Sequence, residues 1–372
     1  MRKTHMKHAS LILTIISIIL TLLFIPTGNA ENNISVPLEN STFKIGFFDV
    51  GQADAAIVEC DSHYMLIDGG NTDDSSLIYA FLEQYSINHL DIVVATHAHE
   101  DHVGGIAGAL NYASADLVLC PVENYDSAAF ANFAKYAYQN GNGIKVPSVG
   151  DTYSLGSSTV TILGLNAGTD TNDTSIVLKI TYGDTSFLFT GDAEREAEQA
   201  LLNSGADLSA TVLKVGHHGS DSSTTYPFLR EIMPEYAVIS VGKNNSYDHP
   251  TDNVLSRLQD ADANILRTDL HGKILISSDG KTVSVSTDKK ASHEEVLTEG
   301  GKTVTQKQTN ENNNASKQQS GGSYIANKNT KKFHYPSCGS VSKMKESNKL
   351  YFNGTRNELI SKGYDPCGNC HP

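Results

Sequence analysis

Three apolar runs in this chain end alike, and that repetition constrains its fold more than any other feature. "DIVVA" leads into "THAHEDHVGG" (Thr96–Gly105), "FLFT" into "GDAE" with Asp192 at the turn, and "TVLKV" into "GHHGS" with His217 and His218. The first junction packs three histidines and two acids into six residues. A lone histidine at a strand end is ordinarily a satisfied polar group, whereas a set this dense needs something to hold it together. Buried strands that finish in ionisable groups suit layered folds in which chemistry gathers along one edge of the sheets.

The three runs sit within two series of alternating strands and helices. The first series reads "TFKIGFFDV", "AAIVEC", "YMLIDGG", the helical "SSLIYAFLEQYS", "DIVVATH", "GGIAGALNYA" and "DLVLC". The second runs from "STVTILGL" through "SIVLKITYG", "TSFLFTGD", the helical "AEREAEQALLNSG" and "TVLKVGHH" to "KILISSDGKTVSVST". Hairpins join many strands while helices keep recurring, which predicts two sheets packed face to face with helices outside. With 372 residues and 39% hydrophobic content the chain can fill such a core. Cys60 and Cys120 close apolar strands and read as small buried hydrophobes, with a disulfide as the alternative in an oxidising compartment.

The two ends differ from this body. Arg2, Lys3 and Lys7 precede "LILTIISIILTLLFIP", and small residues lead to Ala30, so residues 1–30 read as a secretory signal peptide without a lipobox cysteine. Export from a bacterium is expected, with no membrane span after cleavage. An uncleaved N-terminal anchor is the alternative, because the apolar run approaches the ~17 residues that cross a bilayer. Residues 289–322 are rich in Asn, Gln, Lys, Ser and Gly and read as a disordered linker. That leaves a domain over residues 42–288 and a small module over 323–372. The net charge of −14 is unevenly spread: the module carries eight Lys/Arg against three acids, and residues 31–322 hold −22. A body this acidic is a poor general nucleic-acid binder. The charge of the body reads as serving solubility, and that of the basic module as serving either solubility or contact with DNA.

His97 and His99 are two apart and share a face, while Asp101 and His102 lie on the turn beyond and face a second point. Imidazoles and carboxylates in that arrangement suit Zn²⁺, or Mn²⁺ where carboxylates take a larger share. The H-x-H-x-D-H run after a hydrophobic strand, followed in order by Asp and His, resembles the hallmark of the metallo-β-lactamase superfamily. More narrowly, "FFDVGQADAAIVE", "MLIDGG", "THAHEDHVGG", "NDTSIVLKI", "FLFTGDAE", "LKVGHHGS", "NNSYDHP" and "ILRTDLHGKI" resemble the metallohydrolase domain of ComEC-type competence proteins and their free-standing secreted relatives. The resemblance covers residues 43–287 and implies an α/β, four-layer αββα sandwich.

It also implies a site. His97 and His99 would hold one metal, Asp101 and His102 a second, and Asp192 would bridge the two. A histidine of "HHGS", placed at His217, would complete the second set. The third histidine usual for the first metal has no counterpart, since none occurs between His102 and His217. Asn172 or Asp173 stands near its place as a ligand or a substrate contact. An oxygen or amide donor there implies one ion rather than two, or a preference for Mn²⁺. Asp49 and Asp68 read as groups behind the ligands or as turn residues.

The chemistry implied is hydrolysis by water whose pKa the metal lowers to ~7, with Asp101 among the acting groups. His249 of "SYDHP" would protonate the leaving group or touch a phosphate, or else it is a surface histidine before a turn proline. His218 and Ser220 would hydrogen-bond a substrate phosphate. The ComEC likeness implies a phosphodiesterase or nuclease acting on DNA or another extracellular phosphodiester. Cleavage of a β-lactam, a thioester or a phosphorylcholine ester is the alternative within the superfamily, and a non-catalytic DNA-binding or scaffold protein the alternative outside it. Without a channel-forming region the chain is not expected to be an uptake pore, and no oligomeric state is implied.

In the tail, "FHYPSC" supplies His334 and Cys338 and "YDPCGNCHP" supplies Cys367 and Cys370, with 28 residues between the pairs. Two close pairs of such ligands suit one tetrahedral structural Zn²⁺, and a module this small needs a staple. Disulfides are the alternative, but three cysteines leave one unpaired. The segment resembles the zinc-binding α+β module of the Ada repair protein, with His334 in place of the first cysteine. That likeness implies nucleic-acid docking or a mere cap on the chain.

Overall fold

The computed structural model describes residues 42–300, 322–336, 338–367 and 372. The expected signal peptide, most of the expected linker and Cys370 lie outside these residues. Chain order begins with β1 (Phe43–Phe47), β2 (Ala55–Cys60), β3 (His63–Gly69), β4 (His89–Val94), β5 (Ser114–Leu119) and β6 (Ile144–Lys145). A second group follows: β7 (Thr152–Leu155), β8 (Ser158–Gly164), β9 (Val177–Tyr182), β10 (Thr185–Phe189), β11 (Val212–Lys214), β12 (Tyr236–Ile239) and β13 (Asn264–Arg267). Then β14 (Ile274–Ser278) and β15 (Val283–Thr287) return to the first group. The first sheet runs β15-β14-β1-β2-β3-β4-β5-β6 and the second β13-β12-β11-β10-β9-β8-β7.

Each sheet is antiparallel on one side and parallel on the other. β3 to β6 pair in parallel, as do β10 to β13. Parallel strands deliver their C-terminal ends to one edge, so the segments after β3, β4, β10 and β11 can converge there. The alternation of β1 shows how the layers form. Phe43, Ile45 and Phe47 all enter the core between the sheets, where Phe43 stacks on Phe187 at 4.8 Å and Phe47 on Phe189 at 5.8 Å. Each such side chain contributes ~1.5–3 kcal/mol on burial.

Helices close both outer faces. Ser75–Gln84, Ile106–Tyr112 and Ala128–Asn140 cover the first sheet through Ile78, Leu82, Leu110 and Phe133. Arg195–Ser204, Tyr226–Ile232 and Asp252–Asp260 cover the second through Leu201, Phe228 and Leu258. The four-layer sandwich expected from the strand pattern is therefore present. Cys60 lies between the sheets and Cys120 in the outer layer, both buried and unbridged. Among the described residues no helix is long and apolar enough to cross a membrane.

The expected linker starts later than composition suggests. Residues 289–300 pack back on the domain: Ser292 and Glu295 form a capping box for the turn His293–Val296, Val296 is buried, and Arg267 donates to the Val296 carbonyl at 3.0 Å. One apolar anchor and one guanidinium suffice to order a polar stretch.

The tail forms a third sheet from β16 (Gly322–Asn327), β17 (Lys332–His334), β18 (Lys349–Gly354) and β19 (Asp365–Pro366), in the order β18-β16-β17-β19. Ala326, Phe333, Leu359 and Tyr364 make its small core. It contacts the sandwich through Arg356, which meets Asp260 and donates to Tyr226 Oη at 3.0 Å, and through Arg230, which donates to the Ile360 carbonyl at 2.8 Å.

Candidate metal centre

Close backbone packing builds the first junction. A Cβ on Gly105 would lie 1.8 Å from the Gly69 carbonyl oxygen, so "HVGG" and "IDGG" are two halves of one contact. Asp68, at the end of β3, accepts from Thr96 N at 2.7 Å and Thr96 Oγ1 at 2.8 Å, and its Oδ2 lies 2.9 Å from His102 Nδ1. A carboxylate is acceptor-only, so His102 Nδ1 carries a proton and its Nε2 faces inward. Asp68 thus lies behind His102, and it also has a positive φ of 56°.

The second and third junctions bring their groups to the same point. Asp192 Oδ1 is 3.4 Å from His102 Nε2, and Asp192 Oδ2 is 4.0 Å from His97 Nε2, 3.6 Å from His218 Nε2 and 3.8 Å from His217 Nε2. Asp101 Oδ2 lies 3.3 Å from His218 Nε2 and 4.0 Å from His102 Nε2. Asp101, His102, Asp192 and His218 thus offer four ligand atoms, all within 4.8 Å of one another. His102 Nε2, Asp192 Oδ1 and His218 Nε2 are buried without a hydrogen-bond partner. Orphaned acceptors that converge on one point fit a cation.

Of the two histidines of "HHGS", His218 and not His217 joins the four-residue group. Both adopt positive φ, 46° and 53°, and a Cβ on the next residue, Gly219, would lie 2.6 Å from Pro250 Cβ. This strained turn sends His218 inward: its Nδ1 donates to the Ser240 carbonyl at 3.0 Å, which leaves Nε2 for the cluster. His217 sits outside the four-residue group, with Nδ1 2.8 Å from Glu194 Oε1.

Other expectations also change. Asp173 Oδ1 accepts from Glu194 N at 2.8 Å and Ala197 N at 3.3 Å, so it fastens the start of the helix Arg195–Ser204. Asn172 donates to Glu194 Oε1 at 3.3 Å. His97 and His99 pair, Nε2 to Nδ1 at 3.0 Å, and Asn172 Oδ1 is buried without a hydrogen-bond partner. Asp49 is exposed. The acid of that stretch which does reach the ligands is Asp54, 2.7 Å from Lys214 Nζ and 3.3 Å from His218 Nδ1, with Asp54 and Lys214 both buried. Sequence reasoning missed both. Ser220 Oγ lies 2.8 Å from Ser222 Oγ.

Charge explains why these groups hold one another. Burial alone would lower the His102 and His218 imidazoles, but Asp192 with Asp68 and Asp101, or with Asp54, outweighs it; His102 is held well above its usual range and His218 up to about 10. Burial opposes the ionised Asp101 as well, yet His102 and His218 bring it down to about 2. Asp54 is held low because Lys214, His218 and His102 offset its burial. The carboxylates therefore demand positive charge, from imidazolium protons or from a cation that displaces them. His249 behaves differently: burial and then His217 and His218 pull it down to about 4.

Residues 48–243 match the Metallo-beta-lactamase superfamily. The chain belongs to this superfamily. Among curated relatives it is similar to ComE operon protein 3 of Bacillus subtilis, 31% identical over 64% of this chain and 33% of that protein. It is also similar to Competence protein ComA of Neisseria gonorrhoeae, 29% identical over 61% of this chain and 31% of that one. Recombination protein 2 of Haemophilus influenzae is 25% identical over 64% of this chain and 29% of its own length. The chain thus spans about a third of each relative's length. This superfamily membership supports a metal-binding hydrolase.

Proposed function

We propose that this protein is an exported, metal-dependent phosphodiesterase that acts on DNA or another extracellular phosphodiester. The observation that carries the proposal is the convergence of His102 Nε2, His218 Nε2 and Asp192 Oδ1, all buried and unpartnered, beside Asp101. We assign Asp101, His102, Asp192 and His218 to one Zn²⁺ or Mn²⁺, and His97 and His99, with Asp192 shared, to a second and weaker position. When bound, such an ion supplies Lewis acidity and makes water acidic enough to react near neutral pH.

The protein's own groups do the rest. Asp68 and the Ser240 carbonyl fix the tautomers of His102 and His218, and the Asp54–Lys214 pair braces His218 from behind. The Asp101 side chain is 31% exposed while those of His102, Asp192 and His218 are 3% or less, so substrate reaches the cluster from the Asp101 side. Neutral His249, its Nδ1 buried and unpartnered, is placed to hydrogen-bond a substrate oxygen. The names of two relatives, Competence protein ComA and Recombination protein 2, favour DNA.

For the tail we propose one structural Zn²⁺. His334, Cys338 and Cys367 lie within 4.8 Å of one another by ligand atom, and His334 Nδ1 is buried without a partner. Cys370 would supply the fourth ligand. The enzymatic reading is tested with bis(p-nitrophenyl) phosphate and added Mn²⁺ or Zn²⁺, beside a β-lactam and a thioester. Turnover of the phosphodiester alone supports it; lactam or thioester cleavage without phosphodiester turnover replaces it.

A further inference from the structure

The sandwich and the C-terminal module enclose a cleft of about 330 Å³. Its sandwich wall includes Arg195, Asp221 and Arg257, and its module wall Lys332 and Asp365. The loop that carries His218 also contributes Asp221 to the wall of this cleft. Asp221 follows His218 by three residues on the same loop, and Arg195 donates to the Asp221 carbonyl at 2.8 Å. Arg195 also adjoins Glu194, whose carboxylate receives His217 Nδ1 and Ser222 Oγ. Glu194 and the His217–Asp221 loop therefore tie the metal centre to one wall of the cleft.

Three cations and two acids line it, and the way they are paired matters. Arg257 is buried and committed to Asp221 Oδ1 at 2.8 Å. Arg195 reaches the Asp221 carboxylate only at 3.9 Å with its side chain 57% exposed, and Lys332 reaches Asp365 at 3.5 Å with 44% exposed. Exposed pairs of this kind are weak and readily exchanged, so both cations can turn to an anion that enters between them. We infer that this cleft is a subsite for the flanking phosphates of a polymeric phosphodiester whose scissile bond lies at the metal centre, contacted by Arg195 from one domain and Lys332 from the other. The inference rests on the phosphodiesterase reading and adds its substrate class: a chain, not a single ester. It also gives the docked module a part in holding substrate, which an acidic body could not supply alone.

The test uses the full chain and compares kcat/KM for a single-stranded DNA of roughly 12 nucleotides with that for bis(p-nitrophenyl) phosphate. The ratio of the two is expected to fall about fivefold in Lys332→Ala and to rise about twofold in Asp365→Asn, as one weak charge contact is removed or relieved. The dependence of log KM on log salt for the DNA should flatten by ~0.7 in Lys332→Ala, the loss of one phosphate contact to a single strand. A ratio and a salt slope unmoved in both variants overturn the cleft assignment. Wild-type cleavage of the small ester without cleavage of the DNA also overturns it while sparing the phosphodiesterase reading. Failure on both substrates removes that reading and the inference together.

Discussion

The two halves of the metal centre are unequally furnished. Asp101, His102, Asp192 and His218 gather four ligand atoms in one place, and His102 and His218 are each held from behind by a fixed acceptor. His97 and His99 have each other, and His97 reaches Asp192 Oδ2 only at 4.0 Å. A cation site is strong when its donors are complete and pre-aimed. The proposed assignment therefore predicts a tighter position at the complete set and a weaker one at His97 and His99.

The largest effect expected is from His102→Ala. It should remove the tightly held ion and lower kcat/KM by about 10³-fold or more, since Lewis acidity is worth several kcal/mol in the transition state. Elemental analysis of the purified variant beside its turnover checks both. Next is the support behind His218: Asp54→Asn or Lys214→Met should cost 10- to 100-fold in metal affinity or activity, the usual range for residues that orient a ligand. An Asp54→Asn protein with wild-type metal affinity and activity would show that His218 needs no bracing. Smaller again is His99→Ala, which should lower affinity for the weaker ion about tenfold and leave the tight ion in place. If His99→Ala instead stripped the protein of all metal, the inequality of the two halves would be gone.

The smallest effect concerns the loop that carries His218. Buried Glu198 accepts from Thr225 N at 3.0 Å and Thr225 Oγ1 at 2.6 Å, as well as from Thr224 N, and its burial raises its carboxyl from 4.5 to about 7. The folded state then binds more protons than the unfolded state between those values. Stability from this group is full below 4.5, is lost as pH rises through about 7, and levels off above. Across that window the loss is on the order of 1–3 kcal/mol. Melting curves from pH 5 to 8 should show a difference between wild type and Glu198→Gln that grows up to about pH 7; parallel curves would remove Glu198 from the account.

How legible the centre was in the sequence follows the same inequality. The H-x-H-x-D-H turn and Asp192 announced themselves because their residue types are costly at strand ends unless something gathers them. The αββα layering was equally plain, as β1 shows with Phe43, Ile45 and Phe47 on one face. The choice between His217 and His218 was not legible: two successive positive-φ residues redirect side chains in a way that no periodicity predicts. Asp54 and Lys214 were hidden because each stands alone in an apolar stretch, and only the fold brings residues 160 positions apart into a buried pair. Residues 289–300 misled by composition, since Val296 and Arg267 order a segment that is polar on average.

The most direct test is an equilibrium titration of the metal-free protein with Mn²⁺ or Zn²⁺, repeated on His218→Ala and His97→Ala. Two separated transitions are predicted, the tighter lost in His218→Ala and the looser in His97→Ala. A tight transition that survives His218→Ala and disappears in His97→Ala would contradict the account.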